Sequence, residues 1–265
     1  MAGARRTYRL ARWAVGIATL VPLAAYAGVE SYEGYAYSSD DKLLYRESHW
    51  VYDHDGVGQH LIVYRCPDGR PFGRKSVSEA PGAATPDFEM IDARSGYREG
   101  VRTRDGHREA FKQADERSPE KSAQVSLREN TIIDAGIDAF VRAHWDSLSS
   151  NGIAPIAFVV PSRLGYVNFS GRMLRDSVID GHDIRWFRMS LDGWYAFALP
   201  HLDVGYDLRT RQLREYRGPS NIPVKKFMPL DVRIDLPPAE RRADVPQAEV
   251  ERAEQLPLVG RCDIP

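Results

Sequence analysis

Two histidines and an aspartate, His49, Asp53 and His60, flank an Asp55-Gly56 dipeptide. The full segment reads His49-Trp50-Val51-Tyr52-Asp53-His54-Asp55-Gly56-Val57-Gly58-Gln59-His60. If Asp55-Gly56 is a two-residue hairpin turn, Val51 faces His60. His49 is then diagonal to His60 on one face of the hairpin, with Asp53 on that same face. Imidazole nitrogens and a carboxylate so placed can share a transition-metal ion. An ordinary polar hairpin tip would present the same residues, and both readings stand at this stage. A calcium loop is excluded: counted from Asp53, the fifth position is Val57 and the twelfth is Tyr64, where carboxylates are needed.

Other patterns lose their force in context. Ser118-Pro-Glu-Lys121 matches the Ser-x-x-Lys of penicillin-recognising enzymes, and Tyr166-Val-Asn168 echoes their second motif. Ser118, however, sits in a charged stretch, and no Lys-Thr-Gly follows. The chain has no Gly-x-Ser-x-Gly, no phosphate-binding glycine loop, no His-Glu-x-x-His and no Cys-x-x-Cys. Asp134 and Asp138 are paired carboxylates one helical turn apart, a spacing that the positive end of a helix explains without acid–base work. The reading leans away from an enzyme, and no cofactor is implied.

Aromatic side chains are the remaining lead. Trp186 and Phe187 crowd one hairpin with Trp194, Tyr195 and Phe197, and Trp145 lies on a helical stretch. Alternation along a strand sends about half of the hairpin aromatics to each face. On a curved sheet only partly covered by the helix, Trp145, Trp186, Trp194 and Phe197 would line an apolar groove fit for a lipid or acyl chain. The same residues would equally serve as a filled core.

The elements that must position these residues are mostly hairpins. Five Asp-Gly pairs, at 55, 68, 105, 180 and 192, punctuate apolar runs and mark tight turns. Leu43–Tyr52 with Gln59–Tyr64, Tyr97–Arg102 with His107–Phe111, and Leu202–Leu208 with Gln212–Arg217 read as hairpins. Val232–Leu236 reads as a last strand, and Pro161 and Gly165 should break the run from Ile153 to Phe169 into two. Ile133, Ile137, Phe140, Val141, Trp145 and Leu148 recur at helical spacing, so one long helix is expected at about 131–150, with Thr131 and Asp134 resembling a capping box. The expected fold is α+β, mainly antiparallel β: a curved meander sheet, a half-barrel in outline, packed on that helix.

The N-terminus bears on compartment. Arg5, Arg6, Arg9 and Arg12 precede an uncharged run from Trp13 to Val29 that contains Ala25-Tyr26-Ala27. This is the layout of a cleaved signal peptide over residues 1–27, leaving no stable membrane anchor. Its removal takes the formal net charge from −1 to −5, which offers no electrostatic footprint for nucleic acid. The rest divides into one β-rich domain over 28–236 and a tail over 237–265 rich in Pro, Ala, Glu and Arg, with room for a short helix around Gln247–Gln255. Cys66 and Cys262 are the only cysteines. In an oxidising compartment they form a disulfide or remain two free thiols, and geometry decides which.

The run Val204-Gly205-Tyr206-Asp207-Leu208-Arg209-Thr210-Arg211-Gln212-Leu213-Arg214-Glu215-Tyr216 resembles a hairpin of the LolA/LolB lipoprotein-carrier group, in which an Asp-x-x-Thr turn follows one apolar strand and a Leu opens the next. That resemblance implies a curved antiparallel half-barrel that binds acyl chains. The carriers close their cavity with several helices, whereas one is readable here, and no ligand residue carries over. The whole chain also looks like a secreted protein of Gram-negative bacteria, periplasmic or released. The expectation is a non-enzymatic periplasmic protein that binds a lipid or acyl chain or supports envelope maintenance. The alternatives are an envelope module that engages another protein and a metal-dependent activity at His49, Asp53 and His60.

Overall fold

The computed structural model describes residues 28–150, 152–191, 201–225, 228–262 and 264. The signal segment at 1–27, the Asp-Gly pair at 192, and the groove candidates Trp194 and Phe197 lie outside the described residues.

Turn chemistry sets the architecture. At Asp55-Gly56, Asp105-Gly106 and Asp180-Gly181 both residues take positive φ, 53° and 78°, 51° and 75°, and 48° and 78°. That backbone twist matches the twist of paired strands. The three turns close β2 (Leu43–His54) on β3 (Val57–Arg65), β6 (Tyr97–Arg104) on β7 (His107–Gln113), and β11 (Gly165–Ile179) on β12 (His182–Leu191). Asp68-Gly69 joins β3 to β4 (Pro71–Ser78) by a longer connection in which only the glycine has positive φ.

Two meanders share one sheet. The first comprises β1 (Val29–Tyr37), β2, β3, β4, β5 (Asp87–Asp92), β6, β7 and β8 (Lys121–Gln124). The second comprises β9 (Thr131–Ile133), β10 (Ile153–Val160), β11, β12, β13 (His201–Asp207), β14 (Leu213–Lys225) and β15 (Met228–Asp235). They are joined where β1 pairs antiparallel with β15, Tyr35 opposite Asp235, so β8 and β9 are the two edges. Among the described residues every pairing is antiparallel except β9 on β10. The open sheet curves until its ends meet. The turn Pro161–Arg163 after β10 contacts β6 and β7, Lys112 donates to the Ser162 carbonyl, Ile133 N–H donates to Ala84 O at 3.0 Å, and Tyr166 OH donates to Ser126 O at 2.5 Å.

The expected long helix is corrected. Residues 131–150 form β9, then a turn in which Asp134 takes φ 45°, then α1 (Gly136–Ala143) and α2 (Trp145–Ser149), separated at His144. Thr131-Ile132-Ile133 are three consecutive β-branched residues that favour extended backbone, and β10 supplies a strand for them to pair with. The supposed capping box does not form. Ala135 is the N-cap of α1, and Thr131 Oγ1 instead bonds the backbone of Arg128.

The C-terminal stretch wraps the outer face. β16 (Arg242–Val245) pairs with β1, and α3 (Gln247–Glu254) packs Val250 and Ala253 on Val29, Trp50, Leu61 and Val63. Trp50 Nε1 donates to Glu249 at 3.2 Å. Cys66 and Cys262 are disulfide-bonded, with Cα atoms 5.6 Å apart. Constraining a loop of 196 residues in the unfolded chain stabilises by about 5 kcal/mol in the chain-entropy model.

Candidate functional site

Alternation along β2 sends Tyr45, Glu47 and His49 to the concave face, and Trp50 to the outer one. β3 adds His60, Ile62 and Tyr64 to the concave face, and β4 adds Lys75 and Val77. Facing them, the second meander contributes Phe158, Val167, Phe169, Leu202, Leu213 and Tyr216, while α1 contributes Ile137, Asp138 and Arg142. Together they bound a cavity of about 1180 Å³.

Its polar groups fall into defined sets. Lys75 Nζ donates to both oxygens of Asp134 at 3.0 and 2.9 Å, and Asn221 Nδ2 donates to the same carboxylate at 2.6 Å. Asp134 reaches this position because its left-handed backbone turns the chain from β9 into α1. Arg142 pairs with Asp138 at 3.0 Å, and Arg241 with Glu30 at 2.6 Å. A second set is a relay of rings. Glu47 Oε2 lies 3.1 Å from His49 Nε2, and His49 Nδ1 lies 3.0 Å from His60 Nε2. Tyr32 stacks on His49 at 4.4 Å with its hydroxyl 3.4 Å from His60 Nε2, and the Arg241 guanidinium covers the ring at 4.3 Å.

Burial, reinforced by His49, Lys75 and Arg241, holds the His60 imidazole well below its ordinary pKa, so it stays neutral at physiological pH. Burial likewise pushes Glu99 on β6 up to about 7, against the pull of the Tyr97 hydroxyl, which donates to it at 2.8 Å. The site thus offers a neutral imidazole, a carboxyl that titrates near neutrality, and committed ion pairs.

Of the metal candidates, His49 and His60 come together as the register requires, with Val51 opposite His60. Asp53 does not join them. Its Oδ1 accepts from Gly56 N–H at 2.8 Å on the exposed hairpin tip. Among the described residues no group of three His, Cys, Asp or Glu is placed to hold a metal ion. Of the groove candidates, Trp145 packs edge-on against Phe187 and Tyr206, at 5.2 and 5.9 Å. This is the filled core between α1–α2 and the sheet. Trp186 points to the outer face, between the guanidinium groups of Arg175 and Arg217 at 5.3 and 5.1 Å, with Nε1 donating to Ser177 at 2.8 Å. Neither tryptophan is among the residues that line the cavity. Sequence reasoning missed Tyr45, Glu47, Tyr64, Lys75 and Tyr216. The alternation Tyr45-x-Glu47-x-His49-x-Val51 was the available signal for the first two.

No protein-family model matches this sequence, and no curated protein matches it. Among solved structures, the chain is similar to a beta-barrel-like protein of the domain of unknown function DUF1849 from Brucella abortus. The TM-score is 0.51 at 7% identity, over 83% of this chain and 99% of that one, which is a likeness of fold. A DUF1329 family protein from Desulfovibrio piger matches with TM-score 0.29 at 10% identity, over 84% and 88% of the two chains. An outer membrane lipoprotein-sorting protein domain from Vibrio parahaemolyticus matches with TM-score 0.26 at 8% identity, over 86% and 90%.

Proposed function

We propose that this chain is a non-enzymatic periplasmic binding protein that holds the apolar chain of a lipid or similar ligand in its concave cavity. The observation that carries the reading is the cavity itself. At about 1180 Å³ it exceeds the range of roughly 300–1,000 Å³ common for small-molecule sites, and one wall is built from Phe158, Val167, Phe169, Leu202 and Leu213. A space of that size with an apolar wall favours an occupant that can shed water there.

The disulfide suits an oxidising compartment, and residues 1–27 have the composition of an export signal. The domain then runs over 28–236, and of the tail that follows, α3 lies on its outer face while Arg241 reaches the cavity. The reading is tested with N-phenylnaphthylamine, an uncharged apolar fluorophore. It should light up on binding the wild-type protein, and Val167→Trp, which puts bulk into the cavity, should weaken that binding at least about tenfold. Equal binding by the variant would contradict the placement of the ligand.

A further inference from the structure

The charge inventory of the cavity wall says what the head of such a ligand must be. Among the described residues, seven carboxylates line the cavity against four lysines and arginines. Three of those cations are already committed: Lys75 to Asp134, Arg142 to Asp138 and Arg241 to Glu30. The fourth, Arg163, is exposed on the turn after β10. An anionic head group docking on Lys75 would have to break the buried pair with Asp134 and leave that carboxylate without its partner, which is costly.

Glu47 is in the opposite condition. It is 8% exposed and lines the cavity, and among the described residues its side chain bonds the His49 ring through Oε2 alone. A carboxylate offers about four acceptor positions, so Oε1 retains unused capacity. Its surroundings are aromatic. Tyr64 is directly opposite on β3, and Tyr45 is two residues back on the same face. On β1 the opposite residue is Gly34, and the Ile234 and Leu236 side chains fill the place its missing side chain leaves beside Glu47. Tyr216 approaches from β14. The charge of Glu47 is felt at all three hydroxyls, which burial and that charge hold above their ordinary pKa. Tyr32 is excluded from this set, because His49 and Arg241 already occupy its ring. An acid framed by aromatic rings is the environment in which an ammonium group is held by charge and by ring quadrupoles together.

We propose that the ligand carries a cationic nitrogen, a primary amine or quaternary ammonium, which docks on Glu47 beside Tyr45, Tyr64 and Tyr216 while its apolar chain runs along the opposite wall. This rests on the reading of the cavity as a site for an apolar chain. The test compares dodecyltrimethylammonium with dodecanoate, both below their micellar concentrations, as displacers of N-phenylnaphthylamine from the full mature protein. Wild type should bind the cation at least about tenfold more tightly than the anion. Glu47→Gln should abolish that preference, and Glu47→Asp, which keeps the charge, should retain it. Dodecanoate binding as tightly as the cation, or a preference unchanged in Glu47→Gln, overturns the proposal. Should Glu47→Gln fail to fold by thermal unfolding, the wild-type ratio and Glu47→Asp decide. If the fluorophore binds and neither charged chain displaces it, the head-group proposal falls alone. If the fluorophore does not bind, the cavity reading falls with it.

Discussion

The concave face carries aromatic side chains in two settings, packed under the helices over β12 and β13 and facing the cavity elsewhere. Over part of β12 and β13, α1 and α2 press Phe140, Trp145 and Leu148 onto Phe187, Val204 and Tyr206 and fill the space between, while Phe158, Phe169 and Leu202 of the same meander line the cavity. Over β2–β4 no helix descends, and Tyr45, Glu47, His49, Tyr64 and Lys75 face open volume. A large side chain on this face thus becomes core where a helix covers it and wall where none does, and Tyr206 at the boundary is both. That depends on chain length between strands, not on residue type.

The comparison can be broken in three places. The largest effect is expected at the packed end. Trp145→Ala removes an indole from a filled core and should cost about 3–5 kcal/mol in denaturant unfolding, with fluorophore binding retained by the folded fraction. A loss below about 1 kcal/mol would mean that the helix–sheet contact is loose. At the open end, Asp134→Ala leaves the buried Lys75 without the carboxylate it donates to, and should cost about 3 kcal/mol. The double variant Lys75→Met with Asp134→Ala should recover most of that loss. If it does not, the pair is more than mutual compensation.

The smallest effect concerns pH. Glu99 has a folded pKa raised to about 7 from an ordinary 4.5. The folded state therefore holds this proton more tightly than the unfolded chain does. Its destabilising effect is absent below about pH 4.5, grows as pH rises, and is complete above 7, on the order of 3 kcal/mol in all, of which the part between pH 5 and 8 is smaller. Glu99→Gln should therefore gain stability over wild type as pH is raised from 5 to 8. A constant difference across that range would contradict the assignment.

What could be read from the sequence were the features fixed by near neighbours. Asp-Gly at 55, 105 and 180 forces positive φ locally, and the turn length then dictates that His49 and His60 share a face. The helix at 131–150 was misread because apolar residues at helical spacing also include Ile133. Its strand state depends on β10, which begins 20 residues later. The strand β1, through which the first meander joins β15 of the second, gave no alternation strong enough to single it out. The cavity was hidden for the same kind of reason. Asp134 meets Lys75 across 59 positions and Asn221 across 87, and only the curl of the whole sheet brings them together. The tryptophans drew attention by size, yet Trp186 faces outward because Phe187, its neighbour on β12, faces in.

The most direct test of the account is the mass of the protein purified from the periplasm, measured under native and then denaturing conditions. The account predicts a native adduct of a few hundred daltons that is lost on denaturation and extracts into organic solvent. It also predicts a denatured mass that matches residues 28–265 with the disulfide intact. A native protein that is bare, and that takes up no N-phenylnaphthylamine, would contradict it.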